Sequence, residues 1–201
     1  MTGPQMTRPG GRTAEVRAAV LRATGDLLAR HGFHGVDLAT VARGAGVGKT
    51  TVYRRWGSPS ALVADLLTTM AAESVARTDT GTLHGDLTAN ATLVQTTLND
   101  PRQGRLFKAL FSAATYDEHT AAALAEFYRT RVAEWAHAVT DAVARGEAPI
   151  GTDPVATISH LSAPLYYRFL TTTEPLADLD VTRAVGACSA AIAAGVFVVD
   201  E

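Results

Sequence analysis

The chain has 201 residues, enough for one large domain or two small ones with real cores, and 47% of them are hydrophobic, which places it among globular rather than disordered chains. Its single cysteine, Cys188, excludes an internal disulfide framework and a cysteine-rich zinc site. The net charge of −2 conceals an asymmetry: Arg8 to Arg55 holds nine basic and three acidic residues, a net of +6, which leaves −8 for the rest. A basic head on an acidic body points to a polyanionic partner for the head alone.

Abundant alanine and scattered β-branched residues favour helix throughout. Met1 to Arg12 reads as a polar, flexible arm, because Pro9, Gly10 and Gly11 oppose an early helix start. It lacks the apolar stretch of a signal peptide, and no apolar run in the chain is long enough to span a bilayer, so a cytoplasmic location without membrane contact is expected. Thr13 is placed to cap a first helix, with Val16, Ala19, Val20, Ala23 and Leu27 on one face. Gly32 is expected to end it in a left-handed cap, with Phe33 folding back on the core.

Two short helices follow. Asp37 caps the first, which turns Leu38, Val41 and Ala42 inward and breaks at Gly46. The second starts near Gly48, turns Val52 and Trp56 inward and ends at Gly57. Ser58-Pro59 opens a fourth helix with Leu62, Leu66, Leu67 and Met70, fading near Arg77. Thr78 to Gly85 is a small-residue, polar connection and the expected domain boundary.

Beyond it, Asp86 to Leu98 and Gln103 to Ala114 read as helices. Asp117 and Glu118 suit the positive end of a long helix with the stripe Leu124, Tyr128, Val132, Trp135, Val139 and Val143, closed by Gly146 and Pro149. This helix start explains Asp117-Glu118-His119 better than a metal site, since adjacent helical residues point in different directions. Asp153 and Pro154 open a helix through Phe169 with a kink expected at Pro164, and Asp180 opens the last one, through Val198. The expected fold is all-α, about nine helices in total: a three-helix head with a helix-turn-helix within residues 12–77, and a larger helical body over residues 86–199.

The informative stretch runs from Asp37 to Trp56. Ala42 is small enough for two helices to cross closely, Gly46 permits the turn, Val47 plugs the corner, and Val52 and Trp56 anchor the second helix. The remaining residues of that helix, Gly48, Lys49, Thr50, Thr51, Tyr53, Arg54 and Arg55, face outward. Cations, hydroxyls and an aromatic on one face suit phosphate contacts and base-edge readout in a major groove.

This stretch resembles the DNA-binding half of the TetR family of bacterial regulators. The resemblance runs through Arg8-Pro9-Gly10-Gly11-Arg12, Gly32-Phe33, Val41-Ala42, Ala45 to Lys49, Thr51 to Trp56 and Ala61-Leu62. Pro164 to Leu170 and Pro175-Leu176 are similar to the ligand-binding half of one branch of the family. The resemblance implies a homodimeric, ligand-responsive transcriptional regulator, most often a repressor, bound to double-stranded operator DNA. It implies that Lys49, Thr50 and Thr51 face base edges, that Tyr53 and Arg55 sit near phosphates, and that Arg54 does either. Arg43 is placed to reach a phosphate, and Arg12 to add contacts in an adjacent groove. One position departs from the family pattern: where the fourth helix usually opens with a phosphate-gripping lysine, this chain has Pro59.

In the body, Phe107, Phe111, Tyr116, Phe127, Trp135, Tyr166, Tyr167 and Phe169 either line a cavity or simply fill the core. The family resemblance implies a small-molecule effector pocket in this half. Phe107, Phe111, Trp135, Tyr166 and Phe169, with His137 and His160 as hydrogen-bonding groups, are its candidates. The last helix is rich in small residues, Ala184, Gly186, Ala187, Ala190, Ala191, Ala194 and Gly195, which let another helix approach closely. Together with the helix from Val155 to Phe169 this matches the four-helix dimer interface of the family, with Cys188 as a small buried residue. No phosphate-cradling glycine loop, metal-ligand spacing or nucleophile with a partner stands out, so neither enzyme activity nor a cofactor or metal is expected.

Overall fold

The computed structural model describes residues 11–74, 76–77 and 79–199. Those residues form nine α-helices: α1 (Gly11–His31), α2 (Leu38–Ala45), α3 (Lys49–Arg55), α4 (Pro59–Ala72), α5 (Leu83–Asn99), α6 (Pro101–Ala114), α7 (Glu118–Arg145), α8 (Pro154–Thr171) and α9 (Asp178–Ala193). A 3-10 turn, Phe33–Gly35, joins α1 to α2. The fold is all-α as expected, and no helix among the described residues is long and apolar enough to cross a membrane.

By contact density the chain divides into two compact units. The first comprises the residues up to Met70 together with Arg105–Leu124; the second comprises Ala71–Gly104 and the chain from Ala125 onward. In the first unit, Val20, Leu21 and Leu28 of α1, Leu38, Val41 and Ala42 of α2, Val52 of α3 and Leu62, Val63, Leu66 and Leu67 of α4 are buried, with Leu106, Phe107 and Leu110 of α6. In the second, α5, α8 and α9 pack on one another around Leu87, Ala91, Ile158, Leu161, Leu165, Val181, Val185, Cys188 and Ile192. Burial pushes the Cys188 thiol up to about 11, as befits an inert core residue.

Several helix ends differ from expectation, each for a local reason. The arm expected over Met1 to Arg12 lies outside the described residues except for Gly11 and Arg12, and these two already belong to α1. Thr13 is therefore inside the helix rather than its cap. Gly32 has the expected positive φ of 68° but a ψ of −173°, so the chain leaves α1 extended rather than in a left-handed helical turn, and Phe33 is only half-buried. Helix α4 stops at Ala72 rather than near Arg77.

Helix α5 begins at Leu83, not Asp86, because the Thr82 hydroxyl caps it by accepting from the Gly85 amide at 3.2 Å. Asp86 is fully buried, and its carboxylate accepts from the Thr80 amide and hydroxyl, both at 2.8 Å, which fastens the preceding loop. Helix α6 begins at Pro101 rather than Gln103: proline is well suited to a first turn, and the Asp100 carboxylate accepts from the Arg102 and Gln103 amides. Asp117 starts α7 as read, accepting from the Thr120 amide at 2.7 Å. Asp153 starts α8 as read, and Pro164 lies inside that helix.

Helix α9 begins at Asp178, with the Asp180 carboxylate accepting from the Ala177 amide, and it ends at Ala193 rather than Val198. Gly195, at φ 71°, turns the chain so that Val198 pairs with Thr152 in an isolated bridge beside the α7–α8 connection. The Asn99 side chain does more than stop α5. Its amide donates to the Leu176 carbonyl and its oxygen accepts from the Leu176 amide, both at 2.9 Å, holding the α8–α9 connection.

Candidate nucleic-acid interface

The candidate interface is built from α2, its turn and α3. Asp37 accepts from the Ala39 and Thr40 amides, both at 3.0 Å, and so closes the first turn of α2. Hydrogen bonding from Thr40 holds the Asp37 carboxyl below its ordinary value of 3.8. The bonded form is thus the charged one, and its stabilising effect is present above that value and lost as pH falls through the lowered one. Asp37→Ala is expected to cost about 1 kcal/mol of unfolding free energy at pH 7 and less at pH 2, read by urea denaturation at the two pH values.

The turn closes at Gly46, in the left-handed region at φ 69° and ψ 28°, with the Gly46 amide donating to Arg43 and the Val47 amide to Ala42. Gly48 then starts α3 in extended conformation. Within α3 only Val52 is buried, with no exposed surface, and it ties the helix to the core. Lys49, Thr50, Arg54 and Arg55 are exposed, Thr51 is half-exposed, and Tyr53 leaves 52% of its surface open. Gly48 is exposed at the helix start and Arg43 on the last turn of α2. The structure therefore leaves the residues read as outward exposed or half-exposed around α3 and the turn before it, and Arg12 is exposed in the first turn of α1.

Trp56 is half-buried rather than a full core residue, and its role is partly polar. Its indole N–H donates to Asp65 Oδ2 at 2.8 Å. Arg17, from α1, donates through Nε to both Asp65 oxygens at 3.1 Å, and its Nη2 reaches Asp65 Oδ1 and the Thr69 hydroxyl. The Arg55 guanidinium carbon lies 5.0 Å from the centroid of the Trp56 ring, a cation–π distance. Partial burial pushes the Asp65 carboxyl up, but hydrogen bonds from Arg17 and Trp56 and the nearby guanidinium charges outweigh it and hold it below its ordinary value.

Sequence reasoning missed Arg17 and Asp65. The available signal was that Asp65 is the one charged residue within the apolar helix α4, where a carboxylate needs a partner. The start of α4 is held differently. The Ser58 hydroxyl accepts from the Ala61 amide at 3.2 Å, and the Ser60 hydroxyl donates to Asp117 Oδ2 at 2.9 Å.

The residues considered for effector binding fall in both units. Phe107, buried, and Phe111, half-buried, lie in the first unit. Trp135 and Phe169, buried, Tyr166, half-buried, and His137 and His160, exposed, lie in the second. Tyr166 meets Tyr128 edge to face at a centroid distance of 5.4 Å, and Tyr128 meets Phe127 at 5.2 Å. Desolvation pushes both phenols up, so both are protonated at neutral pH. His160 lies edge-on to Phe197 at 5.3 Å. Gly104 is obligatory beside Phe169: a Cβ there would fall 2.4 Å from the Leu98 carbonyl oxygen.

Two family models match the chain. One, described as bacterial regulatory proteins of the tetR family, covers residues 20–66 and so contains the α2–turn–α3 unit. The other, a tetracyclin repressor-like C-terminal domain, covers residues 77–188. The chain belongs to the TetR family. It is 30% identical over 179 residues to the HTH-type transcriptional regulator YdeS of Bacillus subtilis, spanning 87% of this chain and 88% of that protein. It is 39% identical over 97 residues to the HTH-type transcriptional regulator AqdR of Rhodococcus erythropolis, 46% of this chain and 45% of that one. The crystal structure of the TetR family transcription regulator SCO0332 matches with a TM-score of 0.69 and 30% identity, covering 88% of this chain and 97% of the other. A TetR-family regulator from Rhodococcus sp. matches with a TM-score of 0.74 over 89% and 99% of the two chains; at 24% identity it supports the fold. This TetR-family protein is a DNA-binding transcriptional regulator.

Proposed function

We propose that this TetR-family protein is a cytoplasmic repressor that binds a palindromic operator as a homodimer and is released by a small-molecule effector. The observation that carries the reading is the face of α3. A single buried valine holds a seven-residue helix whose other side chains are cations, hydroxyls and a half-exposed tyrosine. Those groups match the donors and the stacking surface that major-groove recognition uses. Lys49, Thr50 and Thr51 read base edges. Tyr53, Arg55 and Arg43 contact phosphates, Arg54 serves either, and Arg12 adds a contact from the start of α1. The functional division places DNA binding in residues 12–77 and effector binding and dimerisation in residues 86–199. Two recognition helices about 34–36 Å apart, or slightly wider, enter successive major grooves.

Dimerisation runs through α8 and α9. This is supported by Val155, Tyr167 and Leu170 on α8 and Leu179 on α9, all large apolar residues left exposed in the single chain, beside exposed Gly186, Ala187 and Ala190. The effector is apolar or mixed, in keeping with the aromatic side chains of the body. If it prefers the wide-spaced state of the heads, operator affinity falls, and operator DNA weakens effector binding by the same factor. No catalytic step is assigned to the protein.

The reading is tested by selecting bound duplexes from a random DNA pool with the purified protein and sequencing them. Enrichment of one palindrome is expected; a folded dimer that enriches no sequence contradicts the reading. On the selected duplex, log K should fall steeply and linearly with log salt. The slope should be slightly shallower than that of a relative with lysine at the position of Pro59. A flat response in fluorescence anisotropy titrations would move the DNA surface away from α3.

A further inference from the structure

We propose that Asp65 is a positioning residue for DNA binding: from α4 it holds Trp56 at the end of the recognition helix, and through the Trp56 ring it sets the pose of Arg55. The contacts form a chain. Arg17 fixes the carboxylate of Asp65 from one side, through two Nε contacts at 3.1 Å and through Nη2, which also donates to the Thr69 hydroxyl. From the other side the carboxylate receives the Trp56 indole N–H at 2.8 Å. The ring so held lies 5.0 Å from the Arg55 guanidinium.

Each link restricts the next. Trp56 is half-buried, and α3 has only Val52 as a buried anchor, so the helix has little packing of its own to fix its rotation at the C-terminal end. Charge-assisted hydrogen bonds to one carboxylate supply that missing constraint. An arginine with many rotamers reaches a phosphate at lower entropic cost when its guanidinium is already stacked on a fixed ring. Asp65 thus serves the interface without touching DNA.

The sign of the effect separates this role from simple electrostatics. Asp65 is an anion in the basic head, so removing its charge should, by Coulomb's law alone, strengthen DNA binding. Positioning makes the opposite prediction.

The proposal rests on Arg55 being a phosphate contact, so the test contains that control. Full-length protein carrying Asp65→Asn, Arg55→Ala or both is titrated onto a fluorescent 30-base-pair duplex of arbitrary sequence at several salt concentrations, after circular dichroism has verified the fold. Non-specific binding measures phosphate contacts and needs no operator. Arg55→Ala should reduce the slope of log K against log salt by about one. Asp65→Asn should weaken binding roughly three- to tenfold and reduce the slope similarly, with little further loss in the double variant.

Binding by Asp65→Asn that is equal to or tighter than that of the unaltered protein overturns the proposal. So does weaker binding with an unchanged slope and additive losses, because a purely structural role lowers the folded fraction without removing a phosphate contact. If Arg55→Ala itself leaves the slope unchanged, the assignment of Arg55 fails, and the positioning role falls with it. Should Asp65→Asn not fold, Trp56→Phe keeps the Arg17–Asp65 pair and an aromatic ring at the position but removes the N–H. It should show the same weakened binding and reduced slope, and behaviour like the unaltered protein would overturn the proposal.

Discussion

Replacing Tyr53 and Arg54 together by alanine is expected to lower operator affinity by roughly thirtyfold or more, since well-made base contacts are each worth about 1–3 kcal/mol and 1.4 kcal/mol is a factor of ten. Both side chains are exposed on α3, and the helix is tied to the core through Val52, which the variant keeps. Alanine is also a better helix former than tyrosine. Melting temperature, dimer size and effector affinity should therefore stay as they are while binding to the selected duplex disappears. Full operator binding by this variant would remove the recognition surface from α3. Loss of binding together with loss of the melting transition would show instead that these residues support the fold.

The second large effect concerns α9. Gly186 lies inside that helix, where glycine costs roughly 0.5–1 kcal/mol relative to alanine. A Cβ built there meets nothing within 4 Å in its own chain. The fold of one chain therefore offers no reason for the glycine, whereas a second helix approaching closely would need it. Gly186→Leu should leave the helical content of the single chain unchanged or slightly increased. It should also shift the protein from dimer to monomer in sedimentation at micromolar concentration. Because two linked heads bind two half-sites with an avidity gain of about a hundredfold or more, operator affinity should fall in parallel. A variant that remains dimeric at the lowest measurable concentration would exclude the proposed role of this face.

What the sequence determined by itself is the part governed by local chemistry. The alternation of apolar residues at helical spacing, Asp37, Asp117 and Asp153 at helix starts, and Gly46, Gly57 and Gly146 with positive φ at helix ends were enough to place most of the nine helices. The outward face from Gly48 to Arg55 was legible for the same reason: one buried position in a short helix leaves the others to solvent. The errors lie where a longer-range partner decides. Asp86 reads as a helix start, but the fold buries it as the acceptor for Thr80. Val198 reads as helix, but its backbone pairs with Thr152, and α9 ends at Ala193. In the sequence Trp56 reads as plain core, and the link between Arg17 and Asp65 is invisible, because their meaning depends on three helices converging on one carboxylate 48 residues from Arg17 and 9 from Trp56. Periodicity and caps report which way a side chain leaves its own helix. Only tertiary structure decides what waits there, since a buried charge or N–H is tolerated only where another element supplies its partner.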